Sequence, residues 1–208
     1  MKKKAGLFDL DGVIFDTEGQ YTQFWSEEGK LLQESSDFSA RIKGRTLKEI
    51  LDRYFPDQKQ ADEVIKRLSR FEQEMVIEYI PGAREFILGL KEQGVKLAIV
   101  TSSNDLKMQN VYRLHPEVKK VFDVIITADK ITRSKPDPEC YLLAARELGM
   151  KKEECVVFED SFSGLEAGRR AEMKVVGLAT SNPAEKIADK ADVVVPDFRA
   201  LSFTDILN

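Results

Sequence analysis

The sequence predicts an α/β protein: a doubly wound parallel sheet with a helical unit inserted after its first strand. Three observations lead there. Apolar runs of strand length recur along the chain, at Ala5–Phe8, Val95–Val100, Phe122–Ile126, Cys155–Phe158, Val175–Leu178 and Val193–Val195. Segments of helical period lie between the later runs, the alternation expected of parallel strands joined by helical crossovers. The runs are apolar throughout, as strands buried on both faces require.

The first run ends on Asp9-Leu10-Asp11-Gly12-Val13. A strand there delivers Asp9 to its carboxyl end, and Asp11 follows at a turn that Gly12 loosens. Residues 17–80 then break the rhythm. Leu47, Ile50, Leu51 and Tyr54 recur at helical spacing, as do Val64, Leu68, Phe71 and Met75, and no strand pattern appears. Pro81-Gly82 marks the return to the main unit. Residues 1–16 and 81–208 are therefore expected to form the α/β core, and 17–80 a helical cap. In the core, Tyr141, Leu142, Ala145 and Leu148 place a helix over 138–148, with Gly149 where a helix C-terminus prefers glycine. A second helix is expected over 162–172, before the run Val175–Leu178.

Length and composition narrow the function. At 208 residues the chain holds one large domain or a domain with a modest insertion, and 42% hydrophobic residues suffice for a core. A formal charge of -4, from 36 acidic and 32 basic residues, gives no basic excess toward nucleic acid or an anionic membrane. Cys140 and Cys155 lack metal-ligand spacing and read as reduced core or boundary residues. Met1-Lys2-Lys3-Lys4 is basic like the start of a signal peptide, but Asp9 and Asp11 interrupt any apolar stretch behind it. No run approaches transmembrane length. A cytoplasmic monomer is the expectation.

Four segments carry the chemistry. Open parallel sheets bind ligands beyond the carboxyl ends of their strands. Asp9 and Asp11 follow the first run, and Thr101-Ser102-Ser103 follow Val95–Val100. Lys135 lies in Ser134-Lys135-Pro136-Asp137-Pro138 after Phe122–Ile126, and Glu159-Asp160-Ser161 follow Cys155–Phe158. Taken singly, each has a bland reading as a solvated turn, a helix cap or a surface lysine. Together, at four strand ends, they form a set matched to a phosphoryl dianion.

In this order, the Asp-x-Asp-Gly, strand-end Thr/Ser, Lys-Pro-Asp-Pro and Glu-Asp-Ser motifs resemble those of the haloacid dehalogenase-like hydrolases. The helical insert resembles the small cap of the β-phosphoglucomutase and phosphoglycolate phosphatase branch. The resemblance spans essentially the whole chain; it is specific for the superfamily and weak for substrate. It implies a Rossmann-like core and a Mg²⁺-dependent phosphatase acting on a small phosphorylated metabolite through an aspartyl-phosphate. Asp9 would be the nucleophile. The Asp9 carboxylate, the Asp11 backbone carbonyl and Asp160 would hold the ion, with Glu159 binding it directly or through a water. The Asp11 side chain would protonate the leaving oxygen and later activate water, which calls for a pKa raised by neighbouring carboxylates and partial burial. Lys135 would offset charge on Asp9 and the phosphoryl group. Thr101, Ser102 and Ser103 would bind phosphoryl oxygens, as would a nest of backbone N–H groups around Leu10 to Gly12. Ser161 either caps the following helix or orients Asp160 or Lys135.

By the same resemblance the cap covers the site and selects the leaving group, hinged at Thr17-Glu18 and Tyr79–Pro81. Lys43-Gly44-Arg45-Thr46 is the candidate substrate loop; equally, Thr46 caps a helix while Lys43 and Arg45 are solvated. The related sugar mutases carry a cap histidine where Tyr21 or its neighbours stand, and an arginine near the position of Leu47. Those departures favour hydrolysis, with a β-phosphoglucomutase-type phosphomutase as the alternative and a non-catalytic phosphometabolite-binding protein as the other. His115 is expected at the surface, and Phe24 and Trp25 in the cap core.

Overall fold

The computed structural model describes residues 4–202 and Ile206; the basic Met1–Lys3 start lies outside the described residues. The six expected strands form one sheet: β1 (Ala5–Phe8), β2 (Lys96–Val100), β3 (Val124–Ile126), β4 (Cys155–Glu159), β5 (Lys174–Leu178) and β6 (Val193–Val195). Their order is β3-β2-β1-β4-β5-β6, and every neighbouring pair is parallel. This is the Rossmann-like arrangement, in which the chain runs one way from β1 to β3 and the other way from β4 to β6. Loops leaving β1 and β4 therefore part, and a crevice opens at their carboxyl ends. Phe8 lies opposite both Ile99 and Phe158, so Asp9, Val100 and Glu159 leave adjacent strands at one level.

Four helices fill the stretch between β1 and the return to the sheet: α1 (Glu18–Leu31), α2 (Phe38–Ile42), α3 (Leu47–Tyr54) and α4 (Gln58–Glu74). Phe24, Trp25, Phe38, Ile42, Ile50, Val64 and Leu68 give them a hydrophobic cluster of their own. Arg67 of α4 donates two hydrogen bonds, 2.6 and 2.7 Å, to the buried Glu28 of α1. The chain enters and leaves this unit side by side. Phe15 and Tyr79 form an antiparallel bridge, Asp16 N–H donates to Glu78 O (2.8 Å), and Ile80 N–H donates to Ile14 O (2.9 Å). His115 departs in part from expectation: it is half-buried rather than exposed. Its ring packs 4.7 Å from Phe15 and 5.1 Å from Tyr79, and Nε2 meets Ile77 O at 2.8 Å.

The remaining helices cover the sheet on both faces. They are α5 (Ala83–Glu92), α6 (Asp105–Leu114), α7 (Val118–Val121), α8 (Glu139–Glu147), α9 (Phe162–Arg170) and α10 (Ala184–Ile187). Phe86, Leu90, Met108, Val111 and Val118 meet Phe8, Ile99 and Phe158 on one face; Phe8 and Phe158 stack 4.3 Å apart. Cys140, Tyr141, Ala144 and Leu165 meet Leu7, Ala98 and Val157 on the other. Alternate strand residues serve opposite cores, which is why the runs had to be apolar throughout. Cys140 and Cys155 are buried and unpaired with each other. Among the described residues, no helix is long and apolar enough to cross a membrane.

Candidate active site

Burial and charge meet at the carboxyl ends of β1 and β4. Lys135, 4% exposed, donates to Asp9 Oδ1 (2.6 Å), Glu159 Oε1 (2.7 Å) and Val100 O (3.1 Å). An ammonium is stable at that depth only with anionic partners. Burial disfavours its charge, yet the Asp9 and Glu159 carboxylates hold it well above the ordinary lysine range. Burial pushes the Asp9 carboxyl up to about 8 against the pull of Lys135, with Glu159 adding to the rise.

Glu159 and Asp160 are adjacent in sequence and opposite in circumstance. Both oxygens of Glu159 are filled by donors: Lys135 and the Tyr141 hydroxyl (3.0 Å) on Oε1, and the Asp160 N–H, Ser161 N–H and Ser161 hydroxyl on Oε2. Burial would raise its pKa, but Lys135 and the other donors keep it below the ordinary value. Asp160 Oδ2 is buried without a hydrogen-bond partner, and burial, Glu18 and Glu159 push this carboxyl well above its usual range. Asp9, Glu159 and Asp160 each offer an oxygen within 4.8 Å of the others. A tight set of carboxylate oxygens, one of them unpartnered, fits a small hard cation. The turn at Gly12 makes room for it: φ is +77°, and a Cβ there would strike Asp160 Oδ2. Ser161 caps α9, its hydroxyl accepting from Gly164 N–H, and it donates to Glu159 rather than to Asp160 or Lys135.

Asp11 departs from expectation. Its pKa is lowered, not raised. Burial would raise it, but Lys107, Thr17 and Ser103 outweigh that. Lys107 Nζ and Thr17 Oγ1 donate to Oδ1, and Ser103 Oγ donates to Oδ2 at 3.0 Å. The expectation counted neighbouring carboxylates and missed Lys107. That side chain sits on α6 with 2% exposure. A signal existed: Lys107 shares a helix face with Met108 and Val111, both buried, so it had to point inward.

Thr101 is buried, its Oγ1 accepting from Ser103 N–H (3.0 Å), and the cap of α6 is Asn104 rather than the Thr/Ser run. The loop 43–45 lies over these residues. Ser102 Oγ donates to Gly44 O (2.9 Å); Lys43 Nζ is 3.0 Å from Glu18 and 3.9 Å from Asp160 Oδ2. Gly44, at φ +79°, approaches Ser163 so closely that a Cβ would collide with its hydroxyl. Thr46 caps α3, accepting from Glu49 N–H, while Arg45 is exposed at the rim. The cavity between the sheet and the inserted helices is lined by Asp9, Asp11, Thr101, Lys135 and Asp160 from the sheet side. Lys43, Tyr21, Trp25, Ile50, Leu68 and Glu72 line it from the inserted helices, so Trp25 serves both the helical cluster and the cavity.

The family model described as haloacid dehalogenase-like hydrolase matches residues 7–178. The chain is 33% identical over 181 residues to the phosphorylated carbohydrates phosphatase of Thermotoga maritima, covering 81% of each. It is 30% identical over 220 residues to the validoxylamine A 7'-phosphate phosphatase of Streptomyces hygroscopicus, covering 98% of each. Among solved structures, β-phosphoglucomutase from Clostridium difficile superposes with a TM-score of 0.82 at 27% identity, over 98% of this chain and 95% of that one. With the strand order, the placement of the four motifs and these matches in agreement, the chain belongs to the haloacid dehalogenase-like hydrolase family.

Proposed function

We propose that the protein is a Mg²⁺-dependent phosphatase that hydrolyses a small phosphate monoester, a sugar phosphate or similar metabolite, through an aspartyl-phosphate on Asp9. The observation that carries this reading is the buried carboxylate set of Asp9, Glu159 and Asp160 with Lys135 in contact, at the crevice where β1 and β4 diverge. Similarity to phosphatases of phosphorylated small molecules supports it.

Asp9 and Asp160 carboxylates, with the Asp11 backbone carbonyl, would hold the Mg²⁺; Glu159, its oxygens already engaged, steadies Lys135 and the Asp160 backbone. When bound, the ion offsets the negative charge of the attacking carboxylate and the phosphoryl oxygens. An Asp9 oxygen attacks phosphorus, forming the Asp9–phosphoryl bond as the ester oxygen departs. Asp11 gives that oxygen a proton, then takes one from the water that cleaves the acyl phosphate. The donors around Asp11 favour its carboxylate, as the second step needs; an arriving phosphoryl dianion acts the other way and raises the carboxyl for the first. Lys135 and the Thr101–Ser103 loop stabilise charge on the transferring group. Lys43, 3.9 Å from Asp160, and the Gly44 carbonyl, held by Ser102, bring the helical unit against this centre.

Asp9→Asn is expected to remove turnover of every phosphate ester while the protein stays folded; retained turnover would eliminate Asp9 as nucleophile. A sugar phosphomutase shares these core residues, and the likeness to β-phosphoglucomutase favours it as the second reading. Stoichiometric release of free phosphate, without isomerised sugar phosphate, decides for hydrolysis.

A further inference from the structure

We propose that Lys107 is a positioning residue: steadied over the Tyr21 ring, it fixes the Asp11 carboxylate for proton transfer and makes that placement depend on the inserted helices. The inference rests on the phosphatase reading.

The geometry is specific. Lys107 belongs to α6, whose Met108 and Val111 are buried against the sheet, so its backbone is fixed by the core. Its side chain is 2% exposed and does not line the cavity, and it therefore acts on substrate only through another group. Lys107 Nζ donates to Asp11 Oδ1 and lies 4.4 Å from the centroid of Tyr21 on α1. An ammonium over an aromatic face is attracted to it, most strongly where water is excluded. The Tyr21 hydroxyl in turn donates to Glu72 Oε1 of α4 at 2.8 Å. Arg113, also on α6, reaches the Gln73 carbonyl of α4 (3.4 Å). Asp11 thus has one donor at the entry to the inserted helices (Thr17) and one on the phosphoryl-binding loop (Ser103). Its third donor, Lys107, answers to both units. If α1 and α4 move off the core, Lys107 loses its ring and Asp11 a fixed partner. Proton transfer is then confined to the state in which the helical unit covers the substrate.

The test separates the two halves of that statement by leaving group. An aryl ester such as p-nitrophenyl phosphate expels a stable anion and needs little help from a proton donor; an alkyl ester needs it fully. Lys107→Met and Tyr21→Leu are assayed with saturating Mg²⁺. The substrates are p-nitrophenyl phosphate and whichever of glucose 6-phosphate, sorbitol 6-phosphate and glycerol 3-phosphate the wild type turns over fastest. For Lys107→Met, kcat on the alkyl ester is expected to fall at least about tenfold further than on the aryl ester, since a placed proton donor supplies about 10²–10⁴-fold. KM should change little on either. Tyr21→Leu should shift the ratio in the same direction, and Tyr21→Phe, which keeps the ring, should shift it less. Should Lys107→Met fail to fold by circular dichroism, the tyrosine pair carries the test. Equal losses on both esters would overturn the inference and leave the phosphatase reading standing, as would wild-type turnover of the aryl ester alone. Wild-type turnover of no ester at all would overturn both.

Discussion

Replacing Lys135 with methionine gives the most direct measure of how the centre is held. Methionine keeps most of the side-chain volume and removes the charge. Lys135 contacts Asp9 and Glu159 at 2.6 and 2.7 Å, and neither the ammonium nor Glu159 has meaningful access to water. At an effective dielectric of about 20, each pair attracts by about 6 kcal/mol, most of which repays the desolvation of three charges. Removing the cation leaves two buried carboxylates facing each other, and one escapes by taking up a proton. The net cost expected for breaking such a buried cluster is about 3–5 kcal/mol. Urea denaturation at pH 9, above the Asp9 value of about 8, measures it in the presence of a chelator, so that no divalent ion substitutes for the lost charge. Glu159→Gln, alone and with Lys135→Met, completes a cycle. The double variant should cost less than the sum of the singles by about 1–3 kcal/mol, because the groups touch. The kcat of Lys135→Met should fall about 10²–10³-fold, as for loss of a group aimed at developing charge. A Lys135→Met protein within about 1 kcal/mol of wild type, or strictly additive variants, would refute the view that this lysine neutralises the two carboxylates.

Two further outcomes test the surroundings. Gly44→Ala forces a left-handed φ of +79° on a residue with a Cβ, which costs about 1–2 kcal/mol locally. It also displaces Ser163, so KM for a phosphate ester should rise and the melting midpoint fall by a few degrees; unaltered steady-state kinetics would remove this loop from the site. Glu139→Ala strips the loop carrying Lys135 of a carboxylate that accepts from the N–H groups of Thr132 (3.0 Å) and Arg133 (2.8 Å). Those N–H groups, that of Thr132 foremost, hold the Glu139 carboxyl below its ordinary value. Its stabilisation is therefore complete above the unfolded carboxylate pKa and disappears as pH falls through the lower folded one. The stability gap between wild type and Glu139→Ala should be about 1 kcal/mol at pH 7 and close at strongly acidic pH; a gap independent of pH would contradict the assignment.

The sheet and the four motifs were readable because their physics is local. A strand buried on both faces must be apolar at every position, so Ala5–Phe8 and Cys155–Phe158 declared their own limits, and each motif followed from where its strand stopped. What stayed hidden depends on partners far apart in the chain. Lys107 meets Asp11 across 96 positions, and Tyr21 meets Glu72 across 51. Nothing in the local pattern distinguishes these from solvated helix residues except their helical phase. The packing of His115 was hidden for the same reason: its neighbour Pro116 suggests an exposed loop, whereas Phe15 and Tyr79, brought together only by the fold, cover part of its ring. The low pKa of Asp11 follows from the same hidden contact.

The bridge between Phe15 and Tyr79 has a consequence for how the molecule can be rebuilt. The ends of a stretch of more than sixty residues are joined by main-chain hydrogen bonds of 2.8 and 2.9 Å, so the rest of the chain experiences it as a closed loop of almost no span. Closing a loop costs entropy that grows only with the logarithm of its length, so exchanging this stretch for a longer or shorter one changes the cost by about 0.6 kcal/mol per doubling. A strand-to-strand turn across that junction would leave the six-stranded sheet most of its two cores, without Tyr21 and Phe71, and would strip Trp25, Ile50, Leu68 and Glu72 from the cavity. A foreign helical bundle spliced into the same junction is expected to keep the sheet's carboxylates and Lys135 but to lose the Tyr21 ring beside Lys107.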